Sequence, residues 1–369
     1  MNNRKEKAGT DLRFRRLTIL CGWLLCVAGF LAGAFMIFGV SGRYNLRKEA
    51  VSYAAGMRKA TQAQEVAPEE EEWQEGWVRY QGKTWRYKED ILTFLFMGID
   101  REGIVTENAS SGEKGGGGQA DALFLVILDP YEEAVKILPI NRSTMTQVIC
   151  YDEEGTGRNT LEAQICVQYG FGDGGRKSCG YQIEAVRKLL YEIPINGYIA
   201  VDMDVIPIVT DAVEGVDLTA LGDVRNEKKE IILREGEQVH LTGELAYWYV
   251  RDRDVAKELS ADERLERQKQ FLTEFLDKAG EIVRQDIMMP VRIFNEIAGR
   301  AVTDITADEI VYLAATAGNY HFDADQVYTI PGESVSGEEN EDSEFDEFHV
   351  DEDGLFELIL ELFYEPVED

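Results

Sequence analysis

Two aspartates and five arginines stand where a chain can bring charge together. Asp100 ends the apolar run FMGID, Asp121 sits in QADALF, and Arg142 follows AVKILPI in PINRST. Arg251 and Arg253 lie two apart in YVRDR, and Arg264 and Arg267 lie three apart in RLERQ, with Gln268 closing that motif. Two carboxylates suit a hard divalent cation, since Mg2+ takes oxygen ligands and commonly binds through one or two carboxylates plus phosphates. Arginine presents a planar fork matched to phosphate oxygens and stays charged at every relevant pH. The chemistry these types allow together is the handling of a diphosphate by a metal ion and guanidinium groups. Each residue also has a plainer reading: an aspartate caps a turn or helix, and an arginine joins a surface ion pair. Arg264, with Glu263 and Glu266 close by, fits that plainer reading better than Arg267 and Gln268 do.

The elements around these residues can be read from periodicity. Residues 91–99 form an apolar run of buried-strand length, and ALFLVILD and AVKILPI are two more strands joined by a turn at Pro130. Asp100, Asp121 and Arg142 therefore fall at strand ends, where loops gather around a site. Arg251 and Arg253 share a face only if the backbone there is extended, whereas Arg264 and Arg267 share one face of a helix. WVRYQGKTWRYK reads as a hairpin around Gln81 and Gly82. TLEAQICVQYG and GYQIEAVRKLLYEI have helical spacing, and residues 198–213 read as a strand then a helix, with Asp202 and Asp204 near the junction. GVDLTAL and EIILREGEQVHLTG are strand-like, GELAYWYVRDR begins helically, and residues 264–283 form a long amphipathic helix. SSGEKGGGG lacks the GKS or GKT that would close a phosphate-binding loop. This interleaving predicts one large α/β domain.

The chain carries 38 basic and 69 acidic side chains, a formal net charge of -31. So acidic a surface excludes general nucleic-acid binding, which depends on phosphate neutralisation. It also repels anionic lipid, so membrane attachment must come from an inserted segment. Residues 17–40 are uncharged and apolar, longer than the roughly 20 residues a membrane-spanning helix needs. Arg4, Lys5, Lys7, Arg13, Arg15 and Arg16 precede it, which keeps the N-terminus cytoplasmic and exports the rest. A cleaved signal peptide is the rival reading; it would have a shorter apolar core and a small-residue cleavage site, and none follows Val40. The expected organisation is a cytoplasmic N-terminus (1–16), a transmembrane helix (17–40), a stalk and acidic linker (41–76), an extracellular domain (77–331) and an acidic tail (332–369). The tail reads as mobile up to residue 348, with a docking helix in LFELILELFY. Cys150, Cys166 and Cys179 would be exported, where at most one bridge can form among three, with no pair preferred. Only three histidines occur and no CxxC recurs, so a zinc site is not expected.

The order of FMGID, glycine loop, ADALFLVILD, PINRST, YGFGDGG, IPINGYIAVDMD, DAVEGVDL, LTGELAYWYVRDR and RLERQ after an anchor resembles the LytR-CpsA-Psr family of Gram-positive envelope proteins. The resemblance runs from about Leu92 to Ala279 and more weakly to Pro331. It implies a single mixed central β-sheet flanked by helices, with a hydrophobic pocket for a polyprenyl chain. It further implies a Mg2+-dependent phosphotransferase that moves a glycopolymer from a polyprenyl diphosphate carrier onto peptidoglycan, at the outer face of the cell membrane. By the same resemblance Asp100 and Asp121 match metal-associated aspartates, and Arg142 matches the arginine of a PRD-type motif. Arg251, Arg253, Arg264 and Arg267, with Gln268, match diphosphate-binding positions. Asp100, Asp121, Arg142 and Arg267 are thereby the expected catalytic residues. Ile165, Val186, Leu189, Leu190, Ile206 and Ile208 could line the lipid pocket, or be plain core.

Three positions depart from the family pattern. Gln119 and Ala120 stand where an arginine often precedes the second aspartate, Ser143 replaces the acid of the PRD-type motif, and Ala261 lies beside a displaced acid, Asp262. Ser143 removes a possible general base, leaving its identity open. Non-catalytic binding of lipid carrier or wall polymer, and simple hydrolysis of the lipid diphosphate, therefore remain alternatives to transfer.

Overall fold

The computed structural model describes residues 76–100, 118–151, 157–254, 257, 259–318, 320–322, 324–337 and 345–367. The apolar run at 17–40, the stalk and nearly all of the acidic linker lie outside the described residues. Among those described, no helix is long and apolar enough to cross a membrane.

Strand β1 (Trp77–Tyr80) pairs with β2 (Lys83–Tyr87) in the expected hairpin. Gln81 and Gly82 have φ of 49° and 76°, the left-handed pair that lets a two-residue turn follow strand twist. Next come β3 (Leu92–Asp100), β4 (Gln119–Asp129) and β5 (Ala134–Ile140), an antiparallel set. Their apolar residues continue on both faces because both faces are covered. Leu95, Met97, Ile99, Leu123, Leu125 and Ile127 enter the largest core cluster, whereas Phe94, Phe96, Phe124 and Val126 pack on the opposite side.

Beyond β5, β6 (Met145–Tyr151) and β7 (Gly157–Gln164) form a separate hairpin, followed by a 3-10 turn over Ile165–Phe171. The helical spacing of TLEAQICVQYG thus belongs half to a strand. Pairing with β6 supplies the backbone partners, Leu161 is left exposed, and only Ile165 onward turns into the core. Helix α1 (Arg176–Leu189) leads to β8 (Gly197–Asp202), which runs parallel to β3, and then to α2 (Val205–Ala212).

A second apolar cluster gathers α2 with β9 (Val216–Thr219), β10 (Val224–Arg225), β11 (Ile231–Leu233), β12 (Gln238–Leu241), α3 (Gly243–Arg251) and α4 (Ser260–Gln285). Gly243 lets α3 start against α2: a Cβ there would meet the Pro207 carbonyl oxygen at 2.6 Å. Helix α5 (Met289–Ile297), strand β13 (Ala301–Thr303) and α6 (Ala307–Ala317) follow. The central sheet has the order β13-β8-β3-β4-β5, mixed because β8 alone pairs parallel. The α/β class with a mixed sheet and flanking helices is as expected.

The segment beyond Pro331 belongs to this core. The described parts of the stretch read as a mobile tail are instead paired strands, β14 (Gly332–Val335) and β15 (Glu347–Val350). Helix α7 (Glu352–Phe363), capped by Asp351, buries Leu355, Ile359, Leu362 and Phe363 completely or nearly so, and β16 (Tyr364–Pro366) pairs with β2. Its acidic first turn complements the helix dipole, while its apolar face meets the inner residues of β3 and β4.

The aliphatic residues considered for a lipid pocket are divided among three apolar clusters. Ile165, Val186 and Leu190 are fully packed in the main core with Leu189 at its edge, Ile206 packs in the second cluster, and Ile208 against Val201 and Val205. Cys150, Cys166 and Cys179 are free thiols. At the far end of the sheet, buried Asp129 lies 2.9 Å from Lys136 Nζ and 3.3 Å from Lys88 Nζ. Burial pushes the Asp129 carboxyl up, but the Lys136 hydrogen bond and the charges of Lys88 and Lys136 outweigh it and hold it below its ordinary value.

Phe363→Ala should cost about 3–5 kcal/mol in urea unfolding, the range for a buried aromatic; a surface-like loss would mean that α7 is an appendage. Asp129→Asn leaves buried Lys136 with only the exposed Glu132 and should cost about 3 kcal/mol at neutral pH. A depressed folded value means that this stabilisation is present above the unfolded pKa of about 4 and lost as pH falls through the folded one. The gap between wild type and variant should therefore hold across neutral and mildly acidic pH and close below about pH 4.

Candidate functional site: a carboxylate clamped by arginines

The site grows from an irregularity in the sheet. Gly98 pairs with Ala122 and Ile99 with Ala120, so Asp121 is the extra residue of a β-bulge. Bulges re-aim side chains beside sites, and this one turns Asp121 toward Arg142 and Arg264. Small residues permit it: a Cβ on Gly98 would sit 3.0 Å from the Ala122 Cβ. Asp100 faces Gln119 as the last pair of the ladder and is exposed at the strand end.

Arg142 lies in a tight turn after β5. Thr144 donates from both N and Oγ1 to the Asn141 carbonyl, and Ser143 N donates to Asn141 Oδ1 at 2.9 Å. Arg142 Nε is 2.9 Å from Asp121 Oδ1, close enough for an ion pair but not aligned as a hydrogen bond. Its Nη2 donates to Gln119 Oε1 and, at 3.3 Å, to Cys166 Sγ. From the first turns of α4, Arg264 Nη1 donates to Asp121 Oδ2 at 3.1 Å. One carboxylate is thus held between two guanidinium groups. Helix α4 is pinned to the Arg142 turn by Asn141 Nδ2, which donates to Asp262 Oδ1 at 2.8 Å.

Arg251 is the last residue of α3, exposed over the rings of Tyr247 and Trp248 at 5.3 and 5.9 Å. The chain then extends through Asp252, with φ -57° and ψ 131°, so Arg251 and Arg253 line one wall as an extended backbone requires. Arg253 Nε donates to Ser260 Oγ at 2.8 Å, and its Nη2 is 3.7 Å from Asp346 Oδ2.

Burial disfavours the charge of Arg142, but the Asp121 and Asp100 carboxylates beside it and its hydrogen bond to Cys166 prevail and raise its pKa. Arg253 is lowered, by burial and then by the positive charges of Arg264 and Arg142. The share that comes from Arg264 and Arg142 is one that an anionic ligand would relieve.

A cavity of about 430 Å3 brings together Asp100, Asp121, Arg142, Arg251, Arg253, Arg264 and Gln268. Arg267 is not part of its lining. Its Nη2 donates to the Asp252 carbonyl, and Gln268 Nε2 donates to the Val250 carbonyl at 3.2 Å, so both satisfy carbonyls at the end of α3. Burial lowers the Arg267 pKa, foremost among its causes. The nearness of Glu263 and Glu266 favoured a plain surface ion pair for Arg264 and made Arg267 the better candidate; in the structure Arg264 instead reaches Asp121 across 143 residues of chain.

The wall also contains Trp248, Asp252 and three residues of the β10–β11 connection, Asn226, Glu227 and Lys229. Asp252 could have been noticed between the two arginines of YVRDR. Asn226, Glu227 and Lys229 carry no sequence signal beyond that of an exposed turn. With Lys229 the lining holds five cations against the four carboxylates Asp100, Asp121, Glu227 and Asp252, in a chain of net charge -31. Ser143 is buried outside this lining, its Oγ accepting from Gln164 Nε2 at 3.4 Å. Among the described residues no group of three or more His, Cys, Asp or Glu side chains could hold a metal by itself. Asp100 and Asp121 offer oxygens to a cation at this end of the cavity, but both Asp121 oxygens lie within 3.1 Å of a guanidinium nitrogen, so a cation there would share Asp121 with Arg142 and Arg264. Two oxygen donors fit a hard cation completed by phosphate and water, and do not fit a closed protein cage.

These placements separate two kinds of arginine. Arg267→Ala should lower stability by about 2 kcal/mol, the worth of a hydrogen bond from a charged group, as read in the urea midpoint. Arg251→Ala should leave that midpoint unchanged and weaken only binding of an anionic ligand such as Mg2+-pyrophosphate. Equal stabilities would show that Arg267 does not secure the end of α3.

The LytR_cpsA_psr family model matches residues 47–358. The polyisoprenyl-teichoic acid–peptidoglycan teichoic acid transferase TagV of Bacillus subtilis is 27% identical over 259 residues, 65% of this chain and 60% of that protein. The similarly named TagU of Halalkalibacterium halodurans is 27% identical over 219 residues, 54% of this chain and 62% of its own length. The aligned chain thus spans about 60% of the length of these relatives. The crystal structure of B. subtilis TagV superposes with a TM-score of 0.53 at 24% identity, covering 73% of this chain and 94% of that one, a likeness of fold. With the family match spanning most of its length and the architecture agreeing, the chain belongs to the LytR-CpsA-Psr family.

Proposed function

We propose that the protein is a membrane-anchored phosphotransferase that attaches a glycopolymer from a polyprenyl diphosphate carrier to peptidoglycan. The observation that carries this reading is Asp121 clamped between Arg142 and Arg264 at a cavity that Asp100, Arg251 and Arg253 also line. The names of the relatives TagV and TagU support the reaction class. Residues 17–40 would hold the domain at the outer face of the cell membrane, with the polyprenyl chain among apolar side chains and the diphosphate at the arginines.

In this reaction an acceptor hydroxyl oxygen attacks the phosphorus that bears the glycan. The bridging P–O bond breaks, polyprenyl phosphate leaves with the bond's electron pair, and the hydroxyl proton passes to a carboxylate. Arg142, Arg251, Arg253 and Arg264 hold the diphosphate and oppose the charge that grows on the leaving phosphate, the main contribution available in phosphoryl transfer. Arg267 acts from behind by fixing the α3 end that carries Arg251 and Arg253, and Gln268 supports the same end while also lining the cavity. Asp100 and Asp121 would hold Mg2+, which neutralises phosphate charge when bound. Buried Ser143 cannot take the proton. Asp252 and Glu227 are the lining carboxylates outside the metal pair and are the candidates for that role.

The full-length chain, incubated with a polyprenyl diphosphate-linked sugar, Mg2+ and peptidoglycan fragments, should yield a sugar-phosphate-glycan product. Arg142→Ala should lower the rate about 100-fold, the effect of losing one donor to developing charge. Sugar phosphate and polyprenyl phosphate without adduct would identify a hydrolase, and retention of the carrier without product would identify a binding protein.

A further inference from the structure

Arg142 is held by more than its ion pair. The 3-10 turn at Ile165–Phe171 folds back on the Arg142 turn: Ile165 N donates to the Thr144 carbonyl at 2.8 Å and Cys166 N to the Arg142 carbonyl at 3.3 Å. The buried Cys166 thiol meets the other end of the same residue, accepting from Arg142 Nη2 at 3.3 Å. Gln119 Oε1 accepts from that same nitrogen and lies 3.8 Å from Cys166 Sγ. Gln119 and Asp121 are two apart on β4 and both reach Arg142, which therefore has the amide, the thiol and the carboxylate around it. The thiol is braced in turn by Gln164, whose Oε1 is 3.8 Å from Sγ and whose Nε2 donates to the Asp346 carbonyl at 2.7 Å.

The chemistry of these acceptors matters. A carboxylate gripping both edges of a guanidinium would orient it but cancel its charge. An amide oxygen and a neutral thiol orient Nη2 without countercharge, and burial raises the Cys166 pKa, which keeps the thiol protonated. We propose that Gln119 and Cys166 are positioning residues for Arg142, two neutral acceptors that fix its Nη2 beside the cavity without adding countercharge to that of Asp121. The link to a diphosphate rests on the function proposed above; the orientation of Arg142 does not.

Two measurements on the full-length chain test this. In titrations with inorganic pyrophosphate and Mg2+, Gln119→Ala should weaken binding about tenfold, as expected for one lost hydrogen bond to a charged group. Cys166→Val should act in the same direction, and Cys166→Ser, which retains an acceptor, should recover most of the loss. In an Arg142→Ala background Gln119→Ala should cost nothing further; an undiminished loss there would overturn the proposal. Separately, 15N spectra of the arginine side chains should show slow rotation of the Arg142 guanidinium in the wild type and faster rotation in Gln119→Ala. Unchanged rotation would also overturn it. If wild type binds no pyrophosphate, the proposed function fails, and the rotation rates alone then decide whether Gln119 and Cys166 position Arg142.

Discussion

The pairing of one half-buried carboxylate, Asp121, with guanidinium groups from two distant segments governs the rest of the site. Charges removed from water are costly unless they meet opposite charge and hydrogen bonds. Asp121 satisfies this with Arg142 on one oxygen and Arg264 on the other. Two cations on one anion leave a positive remainder, and that remainder faces a cavity. The arrangement requires three elements to agree: a bulge in β4, a turn after β5 and the first turns of α4. Apolar packing enforces the agreement, because Leu272 and Leu276 of α4 lie on Phe124 and Ala122 from the strand that carries Asp121.

The net charge of -31 makes the local inversion of sign informative. Over distances beyond roughly 10 Å, salt screens the acidic surface, and an approaching phosphate meets the field of the nearest side chains. Those are arginines, of two kinds. Arg142, Arg251, Arg253 and Arg264 turn toward the cavity, whereas Arg267 is spent on the backbone that supports Arg251 and Arg253. Motif membership does not separate these roles, since Arg264 and Arg267 share RLERQ.

The C-terminal segment is part of the same construction. Phe348 N donates to the Ser143 carbonyl, the Asp346 carbonyl accepts from Gln164, and the Asp346 carboxylate approaches Arg253. Helix α7 fills the core beneath β3 and β4, and β16 closes onto the β1–β2 hairpin. A chain this acidic at its end still folds in, because acids and apolar residues segregate to opposite faces of α7.

Much of this was legible in the residues. Apolar run length placed β3, β4 and β5, alternation around the Gln81-Gly82 turn marked the hairpin, and amphipathic spacing marked α4, because local sterics and burial leave a trace in the residue pattern. The strand-end positions of Asp100 and Arg142 followed from those elements, whereas Asp121, read at the start of a strand, lies inside β4 at a bulge. Other features leave no such trace. The β7 strand was masked by short helical spacing that cross-strand pairing overrides, and the bulge at Asp121 depends on how Gly98 meets Ala122. The choice of Arg264 over Arg267, and the entry of Lys229 and Asp252, depend on which helix face meets which strand end. The sequence by itself determined most of the elements, the charge inventory and the family; only the tertiary structure decided β7, the pairing of β14 with β15, and which charges meet. Periodicity is local, whereas an ion pair spanning 143 residues is set by packing.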